Sequence, residues 1–264
     1  MPLVEKHAPG SFSWLELGTS DQKGAKQFYS SLFGWQPQDY PMGPDNVYTM
    51  FQLQGKDVAG CYATAANSPG APPNWAVYVA VQDADQTARR AAELGGSALK
   101  EPFDVFTFGR MAVLKDPTGA IFCIWQPKTH IGTGITGVEG TLCWADLNTP
   151  GREGAKTFYE GLFGWRLSPG EGKPATDYLH IQNGEAYIGG VLPDEHRNKQ
   201  APPHWLPYFQ VNDCDAAAAK AAKLGATVYM PPMAIEGAGR FSVLADPQGA
   251  VFAVFQPGPR AAAH

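Results

Sequence analysis

Two acidic residues on aromatic strands, Glu16 and Asp146, are the side chains of this sequence best suited to chemistry. Side chains alternate along a strand, so Glu16 shares a face with Trp14 and Asp146 shares a face with Trp144. A carboxyl group among aromatic rings is poorly solvated, which raises its pKa and suits it to general acid or base catalysis. We therefore predict Glu16 and Asp146 as candidate catalytic residues.

Neighbouring strands supply further aromatic side chains that would face the same two carboxyl groups. Together they predict two aromatic pockets, each suited to a flat, apolar molecule with one polar or cationic group. Filling of the protein core is an equally good interpretation of such rings. The predicted ligand-binding residues are Trp14, Tyr78 and Trp125 around Glu16, and Trp144, Tyr208 and Phe255 around Asp146.

An internal repeat places the two acidic residues in equivalent positions. Phe28-Tyr29 recurs as Phe158-Tyr159, and Asp116-Pro117 recurs as Asp246-Pro247, always 130 residues later. A constant offset over such a span indicates duplication of a whole domain. The repeat predicts a first domain at residues 1–130 and a second at 138–264, joined by a Gly/Thr-rich linker at 130–138.

Each copy contains the element order β-α-β-β-β twice. In the first copy, apolar residues between positions 25 and 33 recur at helical spacing, and Gly34 is suited to end that helix. Thr19 or Ser20 is expected to cap its beginning, and Thr149 is expected to cap the equivalent helix of the second copy. The chain therefore contains four modules of the same kind.

Two motifs recur in order within each copy. In the first copy they are Phe28-Tyr29-Ser30-Ser31-Leu32-Phe33-Gly34-Trp35 and Asp116-Pro117-Thr118-Gly119. This ordered set resembles the glyoxalase / bleomycin-resistance / extradiol dioxygenase superfamily, also called vicinal oxygen chelate proteins. The closer resemblance is to two-domain, glyoxalase-like members labelled as hydroxylases. It implies an α+β fold in which four βαβββ modules form two open, curled sheets, each a cup for a small molecule.

The resemblance also implies a metal site, with His or Gln on the first strand of each module and Glu on a last strand. The residues at those positions are Trp14, Ala76 and Cys123 in the first copy, and Trp144, Leu206 and Ala253 in the second. Only Cys123 has a donor atom, and a small, buried apolar role is favoured for it. His204 lies nearby in the second copy, but its counterpart is Asn74. Because a metal site needs at least three converging ligands, we expect no metal and no other cofactor.

Composition limits the remaining partners. The formal net charge of −5 at pH 7 offers no basic surface for nucleic acid. No stretch approaches the roughly 18 apolar residues of a membrane helix, and no secretory leader is recognisable. The 4 cysteines form no CxxC pair, which is typical of reduced thiols. We expect a cytoplasmic protein that binds neither nucleic acid nor membranes, and the sequence leaves a homodimer open.

The favoured function is therefore metal-free binding of an apolar or aromatic metabolite in the cup of each domain. The alternative is an enzyme of the same superfamily, of hydroxylase, isomerase or lyase type, that uses Glu16 and Asp146 as general acid or base. A metal-dependent glyoxalase or dioxygenase is a weaker third hypothesis. Arg110 and Arg240 recur at equivalent positions, where they either pair with these carboxyl groups or fix the turn before the last strand; the second role is favoured.

Overall fold

The computed structural model describes residues 3–44, 46–64, 70–169 and 178–258. The described residues form two sheets of eight strands each and four helices, an α+β fold repeated along the chain. This arrangement confirms the predicted pair of domains built from βαβββ modules.

The two domains contain the same elements in the same order. The first consists of β1 (Phe12–Thr19), α1 (Gln22–Phe33), β2 (Gln36–Gly43), β3 (Asn46–Leu53), β4 (Lys56–Ala63), β5 (Asn74–Ala80), α2 (Ala84–Glu93), β6 (Ser97–Val105), β7 (Gly109–Lys115) and β8 (Ile121–Pro127). The second consists of β9 (Leu142–Asn148), α3 (Arg152–Phe163), β10 (Arg166–Ser168), β11 (Leu179–Asn183), β12 (Ala186–Val191), β13 (His204–Gln210), α4 (Cys214–Lys223), β14 (Thr227–Ile235), β15 (Gly239–Ala245) and β16 (Val251–Pro257).

Each sheet joins the two modules of its domain through their first strands. The strand order of the first sheet is β2-β3-β4-β1-β5-β8-β7-β6, and the second sheet has the equivalent order. Strands β1 and β5 run antiparallel, with Glu16 opposite Ala76, whereas β1 and β4 run parallel, with Glu16 opposite Gly60. Both acidic candidates therefore lie on a central strand of their sheet.

Helix α1 begins two residues later than the sequence suggested. Its cap is Asp21, whose carboxylate accepts a hydrogen bond from the backbone N–H of Gly24 at 3.0 Å. Thr19 still belongs to strand β1 and is fully buried, so the prediction of Thr19 or Ser20 as the cap was wrong. The end of the helix was predicted correctly, because Gly34 adopts the left-handed conformation with φ of 73°.

Helix α3, the equivalent helix of the second domain, also begins later than predicted. Gly151 precedes its first residue, and no side chain caps this end. The Thr149 hydroxyl accepts a hydrogen bond from the Gly151 N–H at 3.2 Å, so Thr149 orders the turn before the helix instead of capping it. The expected cap at Thr149 was therefore wrong by two positions.

A single hydrophobic core lies between the two sheets. Helix α1 contributes Phe33, whose ring lies 5.1 Å from that of Phe209 on β13 in the other domain. The four tryptophans at element ends are also buried in this core; they are Trp35, Trp75, Trp165 and Trp205. The two domains therefore share their core, so neither buries it alone.

The other face of each sheet points away from this shared core. Leu15 and Leu17 of β1 are fully buried in the core, and the alternation of side chains puts Trp14 and Glu16 on the opposite face. We call the outward face around Glu16 the first cup and the equivalent face around Asp146 the second cup. None of the helices described here is long and apolar enough to span a membrane.

Candidate functional site

In the first cup, Glu16 accepts hydrogen bonds from two tyrosines. The Tyr48 hydroxyl donates to Oε1 at 2.8 Å, and the Tyr78 hydroxyl donates to Oε2 at 2.7 Å. The indole N–H of Trp14 in turn donates to the Tyr48 oxygen at 3.4 Å. One carboxylate is therefore held between two phenols, next to an indole.

The second cup repeats this arrangement with an aspartate. Tyr178 donates to Oδ1 of Asp146 at 2.6 Å, and Tyr208 donates to Oδ2 at 2.8 Å. The Trp144 indole N–H lies 2.9 Å from Oδ1 and 2.8 Å from the Tyr178 oxygen. Asp146 thus accepts three hydrogen bonds and is buried, with 4% of its surface exposed.

The structure brings the sequence-predicted aromatic residues together around the two carboxyl groups. In the first cup, Trp14, Tyr78 and Trp125 form one buried cluster with Cys123. In the second cup, Tyr208 clusters with Leu206 and Ala253, and the partly buried rings of Trp144 and Phe255 pack against them. All eight predicted site residues therefore belong to the two cups.

Sequence reasoning missed Tyr48 and Tyr178, which supply half of the phenol donors. Tyr48 lies on strand β3, and Tyr178 immediately precedes the equivalent strand β11. Both positions obey the 130-residue offset of the repeat. That repetition was a usable signal, but only the folded sheet shows that each phenol reaches across an intervening strand, β4 or β12, to the carboxylate on the first strand of the module.

Two glycines make room for the missed tyrosines. Gly60 lies opposite Glu16 in the strand register, and Gly190 lies opposite Asp146. A Cβ atom at Gly60 would overlap the Tyr48 hydroxyl, and one at Gly190 would overlap the Tyr178 hydroxyl. Each phenol can therefore reach its carboxylate only because the facing residue has no side chain.

Burial dominates the electrostatics of both cups. It raises the pKa of the Glu16 carboxyl above its ordinary value of 4.5, although hydrogen bonds from Tyr78 and Tyr48 oppose the shift. It also raises the pKa of the Asp146 carboxyl above 3.8, against the opposing hydrogen bonds from Tyr178, Tyr208 and Trp144. The phenols next to these carboxylates have pKa values well above 10.0 for the same reason, so they stay neutral donors.

The two cups differ in how far their own side chains fill them. In the first, Trp14 and Trp125 are only 5% and 7% exposed, and the Trp125 indole N–H donates to the His130 carbonyl at 2.9 Å. The His130 ring also lies against Trp14, with centroids 4.9 Å apart. In the second, Trp144 and Phe255 are only partly buried. The aromatic rings of the second cup are therefore the more accessible, although its carboxylate is more deeply buried than Glu16.

The repeated arginines do not reach the cups. Arg110 donates two hydrogen bonds to Asp85 on α2, at 2.7 and 2.8 Å. Arg240 forms the equivalent pair with Asp215 on α4. Of the two roles considered for these arginines, pairing with the cup carboxylates was therefore wrong. They link the last hairpin of each domain to the second helix of that domain, α2 or α4.

The donor atoms present do not fit the metal that the fold family implies. Within the described ranges, no three His, Cys, Asp or Glu side chains lie close enough to share one ion. The oxygens of Asp146 and Glu16 already accept hydrogen bonds from phenols. His204, the histidine that the sequence offered near a ligand position, is directed at the Pro202 carbonyl oxygen 2.8 Å away, and burial lowers its pKa.

Two cavities lie elsewhere on the molecule. One of about 340 Å³ lies between the ends of β14, β15 and β16, and its charged side chain, Arg240, is already paired with Asp215. Another of about 150 Å³ lies in the groove between α1 and α4. Neither contains the paired carboxylate and phenols, so we place the candidate site in the cups on chemical grounds.

Two family models match the chain. The first, the Glyoxalase/Bleomycin resistance protein/Dioxygenase superfamily, matches residues 11–124, and the second, a Glyoxalase-like domain, matches residues 144–255. The two matches coincide with the two sheets. The chain therefore belongs to the glyoxalase/bleomycin resistance/dioxygenase superfamily and contains two of its domains.

Two relatives share this organisation along their length. "Putative glyoxylase CFP32" of Mycobacterium tuberculosis (strain CDC 1551 / Oshkosh) is 40% identical over 262 residues, which cover 98% of this chain and 100% of the relative. "Anthracycline biosynthesis protein DnrV" of Streptomyces peucetius is 35% identical over 268 residues, which cover 96% of this chain and 95% of the relative.

Solved structures with the same fold include a Mn(II)-bound glyoxalase and a 2,3-dioxygenase. The Mn(II)-bound glyoxalase from Novosphingobium aromaticivorans has a TM-score of 0.67 at 16% identity, over 94% of this chain and 82% of that one. The 2,3-dioxygenase LapB from Pseudomonas sp. KL28 has a TM-score of 0.65 at 14% identity, over 96% of this chain and 94% of that one. At such identities the likeness extends to the fold and not to the chemistry.

Proposed function

We propose that this protein binds a flat aromatic small molecule in a cup, without the help of a metal ion. The observation behind the proposal is the second cup, where partly exposed aromatic rings surround a buried carboxylate that three neighbouring groups hold in place. Pockets of this composition favour ligands with an aromatic body and one polar group.

The relatives support a polycyclic ligand. DnrV, which is 35% identical to this chain, is described as an anthracycline biosynthesis protein, and anthracyclines contain fused, hydroxylated aromatic rings. Rings of that kind can stack on the partly exposed faces of Trp144 and Phe255. A fused aromatic compound is therefore the ligand class with which to begin.

The second cup is the better candidate of the two. In the first cup, a ligand would have to displace the buried rings of Trp14 and Trp125 and the neighbouring His130. In the second, Trp144, Phe255 and Phe241 are only partly buried, so a ligand can cover their remaining exposed surface. Each 100 Å² of apolar surface that is covered contributes about 2.5 kcal/mol before the costs of association.

The test is a titration of metal-stripped protein. After dialysis against EDTA, we expect a hydroxylated anthraquinone to quench tryptophan fluorescence saturably and to raise Tm, because the ligand binds only the folded state. Phe255→Ala should weaken binding, whereas Phe106→Ala, at an exposed position outside the cups, should not. Absence of saturable binding across a panel of fused aromatic compounds would contradict the proposal.

Acid–base catalysis is the second candidate, because burial raises the pKa of both cup carboxyl groups towards the range useful to an enzyme. Glu16→Gln combined with Asp146→Asn should then abolish turnover of a carbonyl or polyketide-like substrate and leave the fold intact. Unchanged turnover would exclude this mechanism.

Elemental analysis of protein purified without a metal-affinity tag tests the metal-dependent alternative, which stoichiometric Mn, Fe, Ni or Zn would favour.

A further inference from the structure

The hydrogen bonds of the second cup have fixed directions. An indole N–H can only donate and an ionised carboxylate can only accept, so Trp144 and both phenols must be the donors to Asp146. The Tyr178 hydroxyl lies 2.6 Å from Oδ1 of Asp146 and the Tyr208 hydroxyl lies 2.8 Å from Oδ2, so each phenol donates to its own carboxylate oxygen. Each phenol has one hydrogen, and Asp146 accepts both of them.

Only lone pairs therefore remain on the two phenol oxygens. A ligand that approaches Tyr178 or Tyr208 meets hydrogen-bond acceptors, with the carboxylate behind them. A carbonyl or ether oxygen of the ligand would face another oxygen without a hydrogen between them, which leaves a desolvated polar group unpaired. A ligand O–H or N–H, in contrast, meets an acceptor that the carboxylate has made more basic.

In the first cup the hydrogen bonds run in the same direction, from the phenols to the acid, but the acid is a glutamate. Tyr48 and Tyr78 both donate to Glu16, and the Trp14 N–H donates to Tyr48. The exchange of aspartate for glutamate changes the length of the side chain but not the direction of any hydrogen bond. In both cups the tyrosine pair therefore presents only hydrogen-bond acceptors to a ligand.

One further polar side chain borders the second cup. The His180 ring packs edge-to-face on Tyr178, with centroids 4.9 Å apart. Its counterpart in the first cup is Met50, 130 residues earlier, so the histidine does not belong to the shared arrangement. An experiment on ligand selection must separate its contribution from that of the phenols.

We propose that the second cup selects aromatic ligands that carry a free hydroxyl group and discriminates against the same molecules with that oxygen methylated. This inference rests on the proposed ligand-binding function and names the group through which the ligand is recognised. The Tyr178 and Tyr208 oxygens accept the ligand hydroxyl, and Asp146 keeps them in that role.

The experiment compares a hydroxylated anthraquinone with its O-methyl ether by isothermal titration calorimetry. We expect the free hydroxyl compound to bind about ten-fold more tightly, the size of one hydrogen bond worth about 1.4 kcal/mol. If neither compound binds, the proposed function itself fails. If both bind equally, or the ether binds more tightly, ligand binding stands and the selection rule is overturned.

The variant Asp146→Asn tests the cause of the selection. An asparagine amide donates as well as accepts, so one phenol becomes an acceptor from Asn and is free to donate its own hydrogen to the ligand. The preference for the hydroxyl compound should then fall towards one-fold, in a protein whose circular dichroism and Tm verify the fold. His180→Met should keep the ten-fold preference. Loss of the preference in His180→Met but not in Asp146→Asn would assign the selection to the histidine and contradict the proposal.

Discussion

The hydroxyl of Tyr29 donates a hydrogen bond to the carboxylate of Asp246 at 2.9 Å, although the two residues belong to different domains. The reciprocal bond joins Tyr159 to Asp116 at 3.0 Å. These are residues of the two motifs by which the duplication is recognised in the sequence. The motifs therefore hold the two domains together, which explains why both copies keep them.

Removal of one of these hydroxyls should destabilise the whole protein. In Tyr29→Phe, the Asp246 carboxylate loses a donor and the Trp75 indole N–H, 3.0 Å from the hydroxyl, loses its acceptor. Because all three groups are buried, we expect a loss of about 1–3 kcal/mol in the free energy of unfolding. Urea denaturation measures it, with Tyr229→Phe at an exposed position as the control. Equal midpoints for the two variants would contradict this role.

A methyl group at Gly190 should disrupt the second cup. Gly190→Ala places a Cβ atom where the Tyr178 hydroxyl lies, so the phenol must leave Asp146. We expect aromatic-ligand affinity to fall by about ten-fold, since the displaced Tyr178 no longer offers the ligand a hydrogen bond worth about 1.4 kcal/mol. Calorimetric titration measures the change.

Gly154→Ala is the matched control for that substitution. A Cβ atom at Gly154, within helix α3, meets nothing within 4 Å. It should leave ligand affinity unchanged and stabilise the helix by about 0.5–1 kcal/mol. Similar affinities in the two alanine variants would show that Tyr178 has no part in the site.

The buried carboxyl group of Asp146 should make the folding stability of the protein depend on pH. The folded-state pKa of Asp146 is raised above 3.8, so the folded state holds its proton up to a higher pH than the unfolded state does. The ionised form therefore costs stability above the folded pKa, and this cost disappears as the pH falls to 3.8 and below.

The comparison that isolates this effect uses Asp146→Asn, which cannot titrate. As the pH falls through the raised pKa, the wild-type protein should gain stability relative to the variant, as measured by urea denaturation at a series of pH values. Surface acids such as Asp215, whose pKa is lowered by Arg240, have the opposite trend and cancel in the difference. A wild-type protein that loses stability relative to the variant on acidification would indicate a lowered pKa instead.

Removal of the arginine of the last hairpin should leave the ligand site intact. Arg240 is bound to Asp215 at the surface and not to Asp146, so Arg240→Ala should not change aromatic-ligand affinity. Its effect on the urea midpoint should be smaller than that of Tyr29→Phe, because exposed ion pairs contribute little. A loss of ligand affinity in this variant would reopen a role for arginine in the cup.

Local patterns were sufficient to predict much of the fold. The 130-residue offset indicated two domains, and alternation along β1 separated Leu15 and Leu17 from Trp14 and Glu16. Strands β2 and β6 were not located, because the first is exposed throughout, the second has no fully buried residue, and neither shows the regular alternation of a half-buried strand. The cap positions of α1 and α3 were misplaced by one or two residues, because Ser, Thr, Asp and Gly can all occupy a cap position and several of them lie together before each helix.

The sequence by itself determined the duplication, the family resemblance, the two acidic residues and the aromatic character of their strands. These features follow from the order and spacing of residues, which are local properties. Only the tertiary structure decided that Tyr48 and Tyr178 reach the carboxylates, that Arg110 and Arg240 do not, and that Tyr29 and Asp246 join the two domains. The physical reason is that hydrogen-bond partners are chosen by proximity in space, which depends on strand order, register and the absence of a side chain at two glycines.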